Sequence, residues 1–149
     1  MSLPDPDRDP QFYEGVRLRR VIAFAVDCAV IGILMGGIAM IGVVVGLLTL
    51  GGGLPFVVTA FALVGIAYRT TMVMEQGGTL GMLLMGIEVR LATGDRPAFL
   101  QSLAHAAAFT AMSYLPPALI ASMLFAMLNR RGQMLHDLFA GATMINRPV

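Results

Sequence analysis

An arginine and an aspartate, Arg20 and Asp27, stand at the entry of a long apolar run that extends from Val21 to Leu50. Asp27 is the only charged residue within that run. An ionised carboxylate about 9 Å inside hydrocarbon, at about 1.5 Å of rise per residue, costs several kcal/mol unless a partner compensates it. Residues seven apart lie on nearly the same helix face, so Arg20 and Asp27 are candidates for a functional pair within a membrane.

A second embedded charge, Arg69, follows Tyr68 in the next apolar segment. If the two segments are antiparallel neighbours, Arg69 and Asp27 lie at similar depths, about 7–9 Å from the same membrane face. The spacing therefore favours an Asp27–Arg69 ion pair as one hypothesis. The alternative is that Arg69 extends to the lipid headgroups, with Tyr68 as an interfacial anchor.

Two histidines, His105 and His136, and the acid Asp137 complete the groups with acid–base or ligand chemistry. A zinc or di-metal site needs three or four ligands, which a single His-Asp pair does not supply. The single cysteine, Cys28, excludes an intramolecular disulfide and a cysteine cluster. With no Gly-rich phosphate loop and no Ser-His-Asp spacing, we predict no metal, no cofactor and no enzyme.

The composition is that of an integral membrane protein. Of 149 residues, 57% are apolar and 13% are charged, whereas soluble proteins average about 45–50% and about 25%. The net charge of +1 gives no reason to expect a nucleic-acid partner, so the lipid bilayer is the predicted environment. The first residues mix acids and bases before a long apolar run, unlike a cleavable signal, and we expect them to be retained.

The apolar pattern predicts an all-α membrane protein. An antiparallel transmembrane helical hairpin is followed by a proline-kinked third apolar helical region, with a short β element at the membrane surface. Two pairs of glycines four apart in the first helix, Gly32/Gly36 and Gly42/Gly46, permit close helix packing. The predicted parts are a poorly ordered or loosely docked tail (1–14) and a single transmembrane domain (15–149) whose spans are 21–50, 54–74 and 98–128.

The third region contains Pro116-Pro117 near its centre, where proline kinks or breaks a helix. It either crosses once as a kinked helix or enters and returns as two short helices. Arginines flank the first run and follow the third, and they also occur in the middle segment; the connector Thr49 to Pro55 is uncharged. The positive-inside rule therefore favours entry and return, in a cell membrane with the N-terminus on the cytoplasmic side.

The segment Ile87 to Leu91 alternates apolar and charged residues with period two, which predicts a strand. Thr143 to Asn146 is β-prone and is its expected partner. Met82 to Met85 is too short to span and predicts an interfacial helical turn.

Three ordered segments resemble the RDD family of small membrane proteins, named for an arginine and two aspartates. They are Arg20 through Asp27, Gly78 through Val89 with Gly94 to Pro97, and Arg131 through Gly141. The resemblance covers about residues 15–146. It implies that Arg20, Asp27 and Asp137 are the signature residues, with Arg69, His105, Arg131 and His136 as secondary candidates from the sequence.

The chain departs from the family pattern at Met82 and His105, where the family often has basic residues, and at Ala140 to Thr143, where the threonine comes one place late. The middle and third segments therefore carry less positive charge. This argues against a role that depends on anion binding in those segments.

Two functions follow. Transport of ions or small solutes, such as cation/proton exchange, has been proposed within the family, and an embedded aspartate is a default functional candidate. With so few helices, transport would require a homo-oligomer or a partner membrane protein. The alternative is a non-catalytic structural or accessory module in which the Arg/Asp network holds the fold and a partner does the chemistry.

Overall fold

The computed structural model describes residues 3–147, apart from the side chain at position 62. Six helices and two short strands follow one another along the chain. They are α1 (Val16–Leu48), α2 (Leu54–Gln76), α3 (Leu80–Leu84), β1 (Ile87–Leu91), α4 (Phe99–Ser113), α5 (Pro116–Leu128), α6 (Leu135–Phe139) and β2 (Ala142–Asn146).

Helices α1 and α2 form the predicted hairpin, and their ends follow from local chemistry. Thr49 closes the turn with its hydroxyl, which donates to the carbonyl of Val45 and accepts from the amide of Gly53. Pro55 then lies in the first turn of α2, where a missing amide hydrogen costs nothing. Gly77, at a φ of +77°, ends α2 in a left-handed conformation that glycine adopts without strain.

Helix α1 is buried along one face of its first turns and is largely bare over its second half. Val16, Arg20, Ala23 and Asp27 are buried near its start, whereas most of its later apolar side chains are exposed. It is the one helix of the described chain that is long and apolar enough to cross a membrane by itself, and two further bent helix pairs pass the same criterion together. The exposed apolar surface is what a helix in lipid presents.

The third apolar region consists of two helices, α4 and α5. The chain breaks at Tyr114 and Leu115, and Pro116-Pro117 form the first turn of α5. Helices α4 and α5 differ in direction by 119°. A bend of this size fits either a broken span or a re-entrant loop, the two alternatives that the prolines leave open.

Strands β1 and β2 form the predicted pair, and the structure shows that they run antiparallel. Ile87 lies opposite Asn146, Val89 opposite Met144 and Leu91 opposite Ala142. The buried apolar core lies where this small sheet meets the first turns of α1 and the last turns of α2, and it includes Val16, Ala23, Val73, Ile87, Val89 and Met144.

The N-terminal segment docks on the second strand. Its 3-10 helix, Pro10–Phe12, lies close to the end of β2. The Asn146 amide donates to the carbonyls of Gln11 and Glu14, at 2.7 and 2.9 Å, and the Tyr13 hydroxyl donates to the carbonyl of Pro4.

Two of the glycines predicted to allow close packing do so. Gly42 faces Val57 of α2, where an added Cβ would lie 2.8 Å from a methyl group, and Gly46 faces Leu54. Gly32 and Gly36 have open space around them in the described chain. The second pair therefore serves the α1–α2 hairpin, and the first pair lies on the bare outer half of α1.

The closest backbone approach is between α3 and α1. A Cβ added to Gly81 would overlap the carbonyl oxygen of Ala23 and would lie 3.0 Å from a carboxylate oxygen of Asp27. Backbone atoms cannot move aside as a flexible side chain can, so only glycine allows α3 to dock here.

We expect Gly81→Ala to lower the free energy of unfolding by about 1–3 kcal/mol, because it forces α3 away from α1. Gly32→Ala is the matched control, since it adds the same methyl group to open space and should change stability by less than about 1 kcal/mol. Thermal unfolding of both variants in nanodiscs measures the difference. Equal stability of the two would contradict the packing described here.

Candidate functional site

A cluster of buried charged and titratable side chains lies where α1, α2, α4 and α6 meet. Each of its members is at least 92% buried although the chain around it is strongly apolar. The members are Arg20, Asp27, Arg69, His105, His136 and Asp137.

Asp27 is held by three hydrogen bonds from neutral donors. Its Oδ1 accepts from the Tyr68 hydroxyl and from the Gly81 amide, both at 3.0 Å, and its Oδ2 accepts from the Thr79 hydroxyl at 2.6 Å. Thr79 is also the N-cap of α3, because its hydroxyl accepts from the amide of Met82. A single carboxylate therefore joins α1 to α2 and to the beginning of α3.

Tyr68 has a structural role that its position beside Arg69 does not suggest. Its hydroxyl donates to Asp27 and accepts from the Leu80 amide at 3.0 Å. Tyr68 is therefore a half-buried bridge from α2 to Asp27 of α1 and to the first turn of α3.

Arg20 and Asp137 form a buried ion pair. The Arg20 Nη1 donates to the Asp137 Oδ2 at 2.7 Å, and the Met134 amide donates to the same oxygen at 2.9 Å. Burial raises the pKa of Asp137, but the Arg20 guanidinium and the Met134 amide lower it, and the net pKa lies below its ordinary value. Asp137 is thus ionised, and it fixes α6 to the first turns of α1.

The two histidines lie on the other side of Asp137. Its Oδ1 is 3.2 Å from the His136 Nε2 and 3.6 Å from the His105 Nδ1. The imidazole rings are in edge contact, with centroids 5.0 Å apart. Burial lowers the pKa of His136 to about 3, so this imidazole is neutral at pH 7.

Arg69 does not form the ion pair with Asp27 that the depth argument favours. Its guanidinium carbon lies 4.5 Å from the centre of the Phe109 ring, in a cation–π contact. Phe109 also contacts His136, at 4.9 Å between ring centroids. Arg69 does not reach the headgroup region as an exposed side chain either, because it is 92% buried.

The geometry brings together three residues of types that bind metal ions. One ligand atom from each of His105, His136 and Asp137 lies within 4.8 Å of the others, and three protein ligands are the number in many catalytic zinc sites. The sequence did not indicate this group, because His105 is separated from the other two by some thirty residues. A metal ion here would compete with Arg20 for the Asp137 carboxylate.

A cavity of about 80 Å³ lies beside the cluster. Arg20, Arg69, His105 and His136 contribute polar groups to its wall, together with Asp27 and Thr79. The rest of the wall is apolar and includes Phe24, Met82, Val73, Leu119 and Met123.

All residues of this cluster lie within the part of the chain that matches a known family model. A model described as the RDD family matches residues 15–141, which is most of the chain. The chain belongs to the RDD family. No curated protein and no solved structure is significantly similar to it.

In this RDD chain, the three residues predicted to be the signature occupy one buried region, but they do not form one ion triad. Arg20 pairs with Asp137, while Asp27 is held by neutral donors. Arg69, His105 and His136 lie in the same cluster. The sequence analysis did not identify Thr79 and Tyr68 as hydrogen-bond donors to Asp27, or Phe109 as the contact of Arg69. The turn Thr79-Leu-Gly81 was the one signal in the sequence that pointed to this region.

Arg131 lies elsewhere in this RDD protein. Its amide donates to the side-chain oxygen of Asn129, and its guanidinium is close enough to Tyr13 to lower the pKa of that phenol, although burial raises that pKa more. Together with Arg17 it lines a surface depression between the N-terminal segment and the loop before α6. It is therefore part of the docking of the N-terminal segment and not of the buried cluster.

The neutral state of His136 predicts a loss of stability in acid. The unfolded histidine takes up a proton below about pH 6.5, whereas the folded one does so only near pH 3. Stability should therefore decrease by about 1.4 kcal/mol per pH unit as the pH falls through this window. Because the pKa of Asp137 is lowered, its contribution has the same sign but is lost at more acidic pH.

His136→Phe should keep the ring contacts and remove this titration. Between about pH 6.5 and about pH 4.5, the free energy of unfolding of the variant should depend less steeply on pH. The slope should correspond to one proton fewer taken up on unfolding. Unfolding measured in nanodiscs at several pH values tests this. An unchanged slope would mean that His136 is charged when folded or lies exposed.

Proposed function

We propose that this RDD protein is a non-catalytic accessory module of the membrane, in which the buried Arg/Asp network holds the surface elements on the helices. The observation that carries this proposal is how the two aspartates are used. Asp27 accepts three hydrogen bonds from residues 41 to 54 positions away, and Asp137 pairs with a residue 117 positions away. These contacts join segments that lie far apart in the sequence, so the two carboxylates are suited to holding the fold.

The same arrangement leaves an apolar surface for a partner. Ile33, Met40 and Leu47 on the outer half of α1 are each at least 74% exposed, and Gly32 and Gly36 lie on this half with no side chain against them. Lipid or the helix of a partner membrane protein, including a second copy, can cover these residues. The cell membrane, with a cytoplasmic N-terminus, is the location that we propose for this assembly.

A double-mutant cycle on Arg20 and Asp137 tests the structural role. Asp137→Leu alone should cost about 3–5 kcal/mol, because it leaves the Arg20 guanidinium buried without its partner. Arg20→Met combined with Asp137→Leu should recover most of this loss, since it removes both charges. Unfolding in nanodiscs gives the coupling free energy between the two positions.

The exposed ion pair of Arg130 with Asp7 provides the control, because both side chains are more than 70% exposed. Arg130→Gln should leave stability unchanged. If Asp137→Leu is tolerated as well as Arg130→Gln, the network does not hold the fold and the proposal fails.

Transport of ions or small solutes is the second candidate, and one observation favours it. Arg69 is buried beside a cavity, and its contact there is an aromatic ring and not a carboxylate. A buried charge that forms no ion pair is costly, and buried charged residues are frequent along the solute pathways of membrane proteins.

Flux measurements separate the two functions. Under the accessory role, proteoliposomes should show no sodium, potassium or proton flux above protein-free liposomes. Flux that disappears in Asp27→Asn, while that variant unfolds at the wild-type temperature, would instead establish transport. Loss of stability without any wild-type flux supports the accessory role.

A further inference from the structure

We propose that the cavity beside the Arg/Asp cluster binds a small organic monoanion, namely a short-chain carboxylate with an apolar body. This inference goes beyond the accessory role and does not rest on it. It rests on the distribution of hydrogen-bonding groups around the cavity and on the apolar character of the remaining wall.

The acidic groups near the cavity are already engaged. Asp27 accepts hydrogen bonds from Tyr68, Thr79 and the Gly81 amide. Asp137 accepts from Arg20 and from the Met134 amide. Neither carboxylate therefore requires a further cation for its compensation.

The basic groups are not engaged to the same extent. Arg20 uses Nη1 for Asp137, while its buried Nε and Nη2 have no hydrogen-bond partner among residues 3–147. Arg69 lies in the cavity wall, and its contact is the face of Phe109. The Nδ1 atoms of His105 and His136 are likewise without a hydrogen-bond partner in this part of the chain.

Unused guanidinium donors in an apolar environment favour an anion. Arginine binds carboxylates through its planar set of N–H groups, and such charge-assisted bonds are stronger than neutral ones. A metal cation in the same space would face two guanidinium groups and would have to displace Arg20 from Asp137. The positive charges come from α1 and α2, so the low charge of the middle and third segments does not oppose the binding.

The size and wall of the cavity define the rest of the ligand. A volume of about 80 Å³ corresponds to some five to eight water positions, at about 10–15 Å³ each. Met82, Leu119 and Met123 supply apolar, adaptable wall atoms. Phe24 and Met123 are each 37% exposed, so the apolar end of a ligand reaches the cavity from the outer surface of the helices.

Ligand titration of the full-length protein in phosphatidylcholine nanodiscs tests the proposal. Sodium butyrate and hexanoate should bind saturably and raise the unfolding temperature. Butyramide, a neutral isostere, and butylammonium, a cation of similar size, should bind at least about tenfold more weakly, since neither offers a charged acceptor. Equal affinity for butyrate and butyramide would overturn the proposal.

Arg69→Gln should weaken butyrate binding by about tenfold or more, because it removes the guanidinium while leaving the Arg20–Asp137 pair intact. Arg96→Gln is the matched control, since Arg96 is exposed and lies outside the cavity wall. Unchanged affinity in a folded Arg69→Gln protein would refute the site.

Leu119→Phe offers a second test that leaves every charged group in place. The larger ring should occupy part of the cavity and reduce the affinity for hexanoate more than that for acetate, even if Arg69→Gln does not fold. Zinc sulfate and phosphatidylglycerol are included as competing ligands. Stabilisation by either of these and not by butyrate would overturn the proposal, in favour of a metal ion or a lipid headgroup.

Discussion

The cost of burying a carboxylate among apolar helices constrains the whole structure. Within residues 3–147, no basic residue is in hydrogen-bonding contact with Asp27, and three neutral donors stabilise it instead. Two of those donors come from the short segment that begins α3, so this segment must lie against α1. Gly81 then has to be a glycine, since its amide can reach Asp27 only if α3 approaches the backbone of Ala23. The positions of β1 and of the small sheet follow from this contact.

The second buried carboxylate, Asp137 near the end of the chain, is compensated by an ion pair with Arg20. Their pair fixes α6, and α6 brings His136 against His105 of α4. In this cluster both aspartates accept at least two hydrogen bonds, whereas Arg20 keeps two N–H groups without a partner among residues 3–147. The same cluster therefore supports both proposals. The aspartates stabilise the fold, while Arg69 and the remaining donors of Arg20 lie beside the cavity that we propose binds an anion.

The local elements and the pairing of the two strands could be predicted from the sequence, but the side-chain contacts of Arg69 and of the two histidines could not. Period-two alternation identified β1, and the β-prone residues before Arg147 identified its partner. The failure at Arg69 has a simple cause. Helix rise gives the depth of a residue, but it does not give the direction in which its side chain points, and Arg69 points to Phe109 on α4.

The cluster of His105, His136 and Asp137 was beyond prediction for a related reason. It requires α4 and α6 to pack together, and this depends on the 119° turn between α4 and α5. Pro116-Pro117 indicated a break in the third region. A pair of prolines specifies neither the angle nor the neighbour that the returning helix meets.

The distance along the chain between Arg20 and Asp137 has a consequence for biosynthesis. Arg20 leaves the ribosome with the first helix, and its acidic partner is made 117 residues later. During that interval the guanidinium must stay in the hydrated headgroup layer, because entering the apolar interior without a counter-ion is too costly. The ion pair that fixes α6 to the first turns of α1 can therefore form only after the last elements of the chain have been made.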